Sequence, residues 1–237
     1  VKSAQRFSGG SDASRDPDAV RAMFGRIAPR YDLANHLLSG GADIWWRRRA
    51  AKIVMQWQPA RVLDLAAGSG DLALALQGGL PEATIIAADF SPEMLAVARG
   101  KGVRETVWAD ALQLPFETES FECVTVAFGL RNMADWGQAL SEMARVLRPG
   151  GHLLVLDFSL PAGWLRPVYR FYLHRCLPIL ASLVTGQKAA YDYLGGSIEE
   201  FPSGDEMRRL IEKNGFAAAS ARKLTGGIAT IYTAQKL

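Results

Sequence analysis

The sequence predicts one α/β domain whose mostly parallel sheet is covered by helices on both faces. Three observations predict it. From residue 61 onward, short β-branched and apolar runs alternate with helical patterns, a rhythm that buries parallel strands between two helical layers. The first run, 61–66, ends in the glycine turn Gly68-Ser69-Gly70, the joint by which such strands pass into helices. The last two runs, 216–224 and 228–235, meet through Thr225-Gly226-Gly227, a hairpin signal that adds an antiparallel pair at the sheet edge.

Taken in order, residues 1–18 are Ser-, Gly- and Asp-rich and read as a disordered polar tail, leaving 19–237 as the domain. Asp16-Pro17 resembles an N-cap with proline at the first helical position, opening a helix through Met23, Phe24 and Ile27 that Pro29 ends. Asp43 is expected to cap a second helix, whose Trp46, Ala50, Ile53 and Trp57 recur at helical spacing and pack on the sheet; residues 19–58 thus form an N-terminal helical pair. Strand 61–66, helix 70–77, strand 84–88, helix 91–99 opened by Ser91-Pro92, strand 104–108, strand 121–127, helix 134–147 and strand 152–158 follow. Ser203 and Glu206 read as the capping pair of a helix that closes at Gly215. The stretch 160–202 is too long for a connection and carries apolar aromatic helical patterns, so an inserted helical cap is expected. Within 164–184 apolar residues nearly surround the helix, Arg166, Arg170 and Arg175 being the exceptions. A lid packed on the sheet fits this stretch, and so does a greasy groove whose arginines face lipid headgroups.

Composition narrows the function classes. A hydrophobic content of 49% supplies an ample core, and a net charge of +3 is mildly basic, with the positive residues dispersed except at Arg47-Arg48-Arg49. That triplet could meet phosphate or anionic lipid, but it fits better as the solvated face of a helix carrying Ile44, Trp45 and Ile53 on its other side, so nucleic acid is not an expected partner. Cys123 and Cys176 lie in apolar segments without metal or redox spacing, as packing residues of a reducing compartment do. No leading apolar segment and no run near eighteen apolar residues are present, which points to a cytoplasmic location with at most peripheral membrane contact. His36, His152 and His174 fall on separate elements, so no metal is expected.

The glycine turn indicates a nucleoside-bearing cofactor. Gly68 and Gly70 let the backbone turn sharply and approach a ligand, with Asp64 four residues before Gly68. Gly68-Ser-Gly70-Asp-Leu-Ala73 also satisfies the dinucleotide fingerprint, and Asp89, about 20 residues beyond, suits ribose hydroxyls in either case. Asp64 would suit a positively charged cofactor end better than a pyrophosphate. Beyond it, Trp108-Ala-Asp110-Ala111, Leu114-Pro115-Phe116 and Arg145-Val-Leu-Arg-Pro-Gly-Gly151 resemble the class I S-adenosylmethionine-dependent methyltransferases. The resemblance implies their Rossmann-like fold, with seven strands, an antiparallel C-terminal hairpin and here a cap after strand 5. It also implies S-adenosylmethionine as cofactor, with Asp110 and Ala111 bordering the adenine.

The block Phe128-Gly-Leu-Arg131-Asn132-Met133, with Tyr31-Asp32-x-x-Asn35 and Gly196-Ser197-Ile198, narrows this further. From about residue 20 to its end the chain resembles the quinone-ring C-methyltransferases of menaquinone and ubiquinone biosynthesis. The resemblance implies C-methylation of a reduced polyprenyl quinone precursor, demethylmenaquinol or a 2-polyprenyl-6-methoxy-1,4-benzoquinol, by a protein that visits the membrane surface. Cofactor contacts then fall on Ser69, Asp89, Asp110, Ala111 and Ala127. Ser69 replaces a common threonine and keeps its hydroxyl, whereas Ala127 replaces a common serine and offers only backbone and contact. The family's proton-handling positions map to Arg131 and Asn132. An arginine, with a pKa above about 12, is a poor base, so Arg131 reads as stabilising a developing phenolate and Asn132 as holding a water. His174 is a candidate base because its ordinary pKa is near neutrality, although a lone histidine in such a helix is more often structural. Tyr31 could close over the cofactor with Asp32, and Tyr191 and Tyr193 could line the ring pocket. A methyltransferase of another small aromatic molecule, or a non-catalytic cofactor- or RNA-binding module, would use the same fold. The choice of naphthoquinol or benzoquinol, the tail length and a homodimer stay open at this level.

Overall fold

The computed structural model describes residues 36, 39–179 and 188–237. Seven strands, β1 (Arg61–Leu65), β2 (Thr84–Asp89), β3 (Glu105–Trp108), β4 (Phe121–Ala127), β5 (Leu147–Phe158), β6 (Phe216–Leu224) and β7 (Ala229–Lys236), form one sheet in the order 3-2-1-4-5-7-6. Strands β1 to β5 pair in parallel, and β7 runs antiparallel to both β5 and β6. The expected hairpin is therefore present, but its second strand lies inside the sheet and its first forms the edge. Their side chains explain the order. Ala229 to Tyr232 of β7 are buried in succession, as an internal strand requires, whereas β6 exposes Ser220, Ala221, Arg222 and Lys223, and charges protect an edge from further pairing.

Alternate residues of the strands feed two cores. Leu63, Leu65, Val124, Val126, Leu153 and Val155 meet α4 (Trp136–Val146) and α7 (Asp205–Lys213) on one face. Val62, Ile85, Cys123, Leu154 and Leu156 meet α1 (Ala42–Trp57), α2 (Asp71–Gly79) and α3 (Pro92–Gly100) on the other. Each fully buried leucine or valine stabilises the fold by about 1.5–3 kcal/mol. Such layering leaves the C-terminal ends of the strands open, where α/β sheets bind ligands.

Several element ends differ from expectation. Ser91 caps α3 as expected, accepting from the Met94 amide at 3.2 Å with Pro92 behind it. In α1 the N-cap is Gly41, at φ 78°, and Asp43 sits inside the first turn, where it accepts from Ser39 Oγ at 2.6 Å. The buried stripe of α1 is Trp46, Ala50 and Val54, so Ile44 and Trp45 face outward at 38% and 52% exposure, against the expected orientation. Helix α7 starts after Gly204, not from a Ser203–Glu206 capping pair. Gly204 adopts φ 61°, ψ −127°, which favours glycine, and its amide donates to Tyr232 Oη at 2.9 Å. Strand β5 begins at Leu147, because the Arg-Pro-Gly-Gly turn is absorbed as a bulge opposite Phe121 and Cys123.

Among the described residues the cap includes α5 (Leu165–Phe171), a π turn over Tyr172–Cys176, and α6 (Lys188–Glu200). Leu173, Leu177 and Ile198 pack with Phe158 and Leu160, fastening it over the end of β5. Helix α5 buries none of its residues, and Trp164, Val168 and Phe171 stand at 77%, 58% and 63% exposure. The segment thus packs as a lid at one end only. The polar tail, the first expected helix, Tyr31, Asp32 and Asn35 lie outside the described residues. No helix of the described residues is long and apolar enough to cross a membrane.

Candidate functional site

A cavity of about 150 Å³ opens over the ends of β1, β2 and β4, between the glycine turn, Asp89 to Met94, Ala109 to Leu112 and Ala127 to Ala134. The turn after β1 carries positive φ at Ala66, Gly68 and Gly70. Asp89 ties this turn to β2, accepting from the Gly68 amide through Oδ2 and the Ser91 amide through Oδ1, each at 2.8 Å. Burial holds its carboxyl above the ordinary range, against the pull of these amides. Ser69 and Gly68 line the cavity, but Gly70 is not among the lining residues. A Cβ on Gly70 would lie 2.5 Å from Val103 Cγ2 and 3.0 Å from Ala98 Cβ. Its glycine therefore serves close packing against the end of α3 and not, as expected, the approach of a ligand.

Asp64, at the end of β1, is 1% exposed and lines the cavity. Its Oδ1 accepts from Thr125 Oγ1 at 2.7 Å, while Oδ2 is buried without a hydrogen-bond partner. Burial pushes its pKa up to about 7, against the pull of Thr125. The Ala73 amide faces the same carboxylate and also pulls the pKa down, without making a hydrogen bond to Oδ2. A buried carboxylate with an idle oxygen suits a cationic ligand. Beyond β3, Asp110 Oδ1 accepts from the Leu112 amide at 2.9 Å, and Ala111, Leu112 and Phe90 line the cavity with it.

The Phe-Gly-Leu-Arg-Asn block follows β4 and contributes Phe128, Gly129 and Asn132 to the cavity wall. Phe128 takes φ 60°, and a Cβ on Gly129 would lie 2.4 Å from Ala66 Cβ, so the β1 and β4 turns touch only because residue 129 has no side chain. Ala127 and Asn132 line the cavity. Asn132 Nδ2 donates to the Phe128 carbonyl at 3.4 Å, and its Oδ1 is buried without a partner. Arg131 points elsewhere. It is 4% exposed, pairs with Asp157 at 2.8 Å, donates to the Phe128 carbonyl through the same nitrogen, and lies 5.1 Å from the Phe158 ring centre. It is not among the residues lining the cavity. Burial raises the Asp157 pKa despite Arg131, and burial likewise raises that of Tyr169 in the cap, which Arg131 opposes.

His174 is not brought to the cavity. Its Nε2 lies 3.0 Å from Glu199 Oε1 on the cap surface, where Glu199 also receives Arg170 at 2.6 Å. This cross-helix ion cluster gives it the structural role that was its alternative. Tyr191 and Tyr193 belong to α6, but their side chains, like all of Tyr31, lie outside the described residues. No group of three His, Cys, Asp or Glu suited to a metal occurs among the described residues. The structure adds Arg47, Asp71, Met94 and Met133 to the cavity wall and Asp157 behind it. Asp157 carried a signal: an acid inside Leu-Leu-Val-Leu-Asp-Phe must find a buried partner.

The chain resembles known proteins along most of its length. The model of the ubiE/COQ5 methyltransferase family matches residues 12–236. A demethylmenaquinone methyltransferase of Thermus thermophilus is 47% identical over 220 residues, spanning 90% of this chain and 100% of its own. The ubiquinone/menaquinone biosynthesis C-methyltransferase UbiE of Geobacter sulfurreducens is 43% identical over 229 residues, spanning 92% of this chain and 89% of its own. A crystal structure of a SAM-dependent methyltransferase from Thermotoga maritima superposes with a TM-score of 0.67 at 21% identity, covering 92% of this chain and 100% of that one, a likeness of fold alone. By the match along nearly its whole length and by the identity to these relatives, the chain belongs to the ubiE/COQ5 methyltransferase family.

Proposed function

We propose that the chain transfers a methyl group from S-adenosylmethionine to a ring carbon of a reduced polyprenyl quinone precursor, the reaction class in the names of its relatives. One observation carries the reading: the cavity sets Asp64, Asp89 and Asp110 along its length and meets Asn132 with a buried, unpartnered Oδ1. The cofactor fits these residues. Asp64, whose Oδ2 lacks a donor, would hold the ammonium, Asp89 the ribose hydroxyls, and Asp110 with Ala111 the adenine, while Gly68, Ser69 and Ala127 close the walls. When bound, the cofactor supplies an electrophilic methyl on sulfur. The remaining task belongs to the chain. A quinol ring carbon becomes nucleophilic as the neighbouring hydroxyl loses its proton, and Asn132 Oδ1, buried without a partner, would hold the water that accepts it. Arg131, fixed behind Phe128 by Asp157, donates to the same Phe128 carbonyl as Asn132 and would act through it, holding the turn that carries Asn132.

The tail and the membrane enter through the cap. Trp164, Val168 and Phe171 are exposed beside Arg166 and Arg170, a mixture suited to the headgroup boundary of an anionic leaflet. A cytoplasmic enzyme docked there would meet a substrate whose tail stays in the bilayer.

The test is methyl transfer from labelled S-adenosylmethionine to demethylmenaquinol and to the benzoquinol, each with and without a tail, and to the oxidised rings without reductant, with mass spectrometry locating the methyl. Product is expected on carbon and from the reduced ring only, because the oxidised ring withdraws electrons from the attacking carbon. Catalytic efficiency should rise with the tail, each buried methylene adding about 0.8 kcal/mol. Methylation of an oxidised ring refutes the mechanism; equal efficiency without a tail refutes only the tail-binding surface; methylation on oxygen favours another aromatic substrate. A separate expectation concerns Asp89→Ala, which removes the ribose acceptor and also releases the Gly68 amide. Affinity for S-adenosylhomocysteine should fall about tenfold or more, read by calorimetry. Unchanged affinity in a folded variant would take Asp89 out of the site.

A further inference from the structure

The cavity wall carries four carboxylates, Asp64, Asp71, Asp89 and Asp110, and Arg47 is the one lysine or arginine among its lining residues. Arg47 lies on α1 with its side chain 11% exposed, unlike its neighbours Arg48 and Arg49, which are exposed. Its Nη1 donates to Asp43 Oδ2 at 2.5 Å and lies 3.9 Å from Asp71 Oδ2, and its guanidinium carbon stands 5.1 Å from the Phe128 ring centre. Asp43 is 3% exposed and is fixed in turn by Ser39 Oγ at 2.6 Å and His36 Nδ1 at 2.8 Å. The guanidinium is thus held along one edge by a buried acid and against an aromatic face. Its charge also reaches Asp64.

A methionyl group is a zwitterion, and a water-poor cavity must answer both of its charges. Asp64 answers the ammonium. Resting on the cofactor reading of this cavity, we infer that Arg47 binds the α-carboxylate of that methionyl group. The planar fork of an arginine suits the task, because one edge can pair with Asp43 while another addresses a second carboxylate. The arginine triplet is then divided in function: one member faces the cofactor and two face solvent.

The experiment compares three ligands by calorimetry on the intact protein: S-adenosylhomocysteine, 5′-methylthioadenosine, which lacks the amino-acid end, and decarboxylated S-adenosylmethionine, which lacks only the carboxylate. Failure of the wild-type protein to bind S-adenosylhomocysteine would refute the cofactor reading itself. In Arg47→Met the affinity for S-adenosylhomocysteine should fall about 10- to 100-fold, the scale of a charged hydrogen bond, and the affinities for the other two should not change. Retention of 5′-methylthioadenosine binding shows that the variant is folded; if it is not, Arg47→Gln, which keeps donors for Asp43, is judged by the same criteria. Full retention of S-adenosylhomocysteine affinity, or a parallel fall for all three ligands, overturns the assignment.

Discussion

Asp157→Ala is expected to cost about 3–5 kcal/mol of folding stability, because it leaves Arg131 as an uncompensated charge in a buried site. Asp157 is 0% exposed and answers more than the guanidinium: it also accepts from the Phe158 amide at 2.8 Å and from the Arg131 amide at 3.3 Å. One carboxylate thus joins the turn after β4 to the end of β5, under the cap. Against a typical stability of about 5–15 kcal/mol, the loss would leave a marginal protein. Urea denaturation gives the measurement, as a fall in midpoint at unchanged slope. The double variant Arg131→Met, Asp157→Leu should recover much of the stability, since an apolar pair of similar volume carries no unmet charge. It should not recover methyl transfer. A loss below about 1 kcal/mol for Asp157→Ala would place the pair among weak surface contacts and remove it as the brace of the β4 turn.

The outline of the fold was legible because each strand and helix announces itself locally. Ser91-Pro92 both names and caps α3, and the alternation Val62, Leu63, Asp64, Leu65 already divides β1 between two cores and a cavity. What was not legible depends on partners distant in the chain. Arg131 and Asp157 are 26 residues apart, so the motif showed that the arginine mattered but not that it is tied down behind the wall. Gly70 looked like a ligand-facing glycine until Val103 and Ala98 were seen against it. Arg47 was hidden differently. A run of three arginines reads as a solvated face, and only the rotation of α1 that buries Trp46, and so turns Trp45 outward, brings the first of them to the cavity. The Asp43–Arg47 spacing of four was visible, but nothing local showed that this pair was buried.

Cofactor affinity is expected to rise with pH up to about 7 and then level off, and Asp64 is the reason. Its carboxyl is raised from 3.8 to about 7 by burial, so the unliganded protein holds it mostly protonated in mildly acidic solution. An ammonium ligand favours the ionised form, and binding below pH 7 must therefore release a proton. Affinity for S-adenosylhomocysteine should fall by up to about tenfold per pH unit on going down from there, until the pKa of the bound state is reached. Above about pH 8 the ligand's own α-amino group begins to lose its proton and affinity should decline again. For the unliganded fold the sign is opposite: a carboxyl whose folded pKa is raised lowers stability progressively as pH climbs from the ordinary 3.8 to about 7. Asp64→Asn cannot ionise, yet its amide oxygen can still accept from Thr125. It should bind S-adenosylhomocysteine weakly and without the acidic-side slope, while the stability of the unliganded variant relative to wild type should improve with rising pH across the same window. Calorimetry in two buffers of different ionisation heat, with urea titrations at each pH, reads both effects. If the wild-type affinity is flat from pH 5 to 7, or if the slope survives in Asp64→Asn, the ammonium does not sit on this carboxylate and the orientation of the cofactor in the cavity must be reversed.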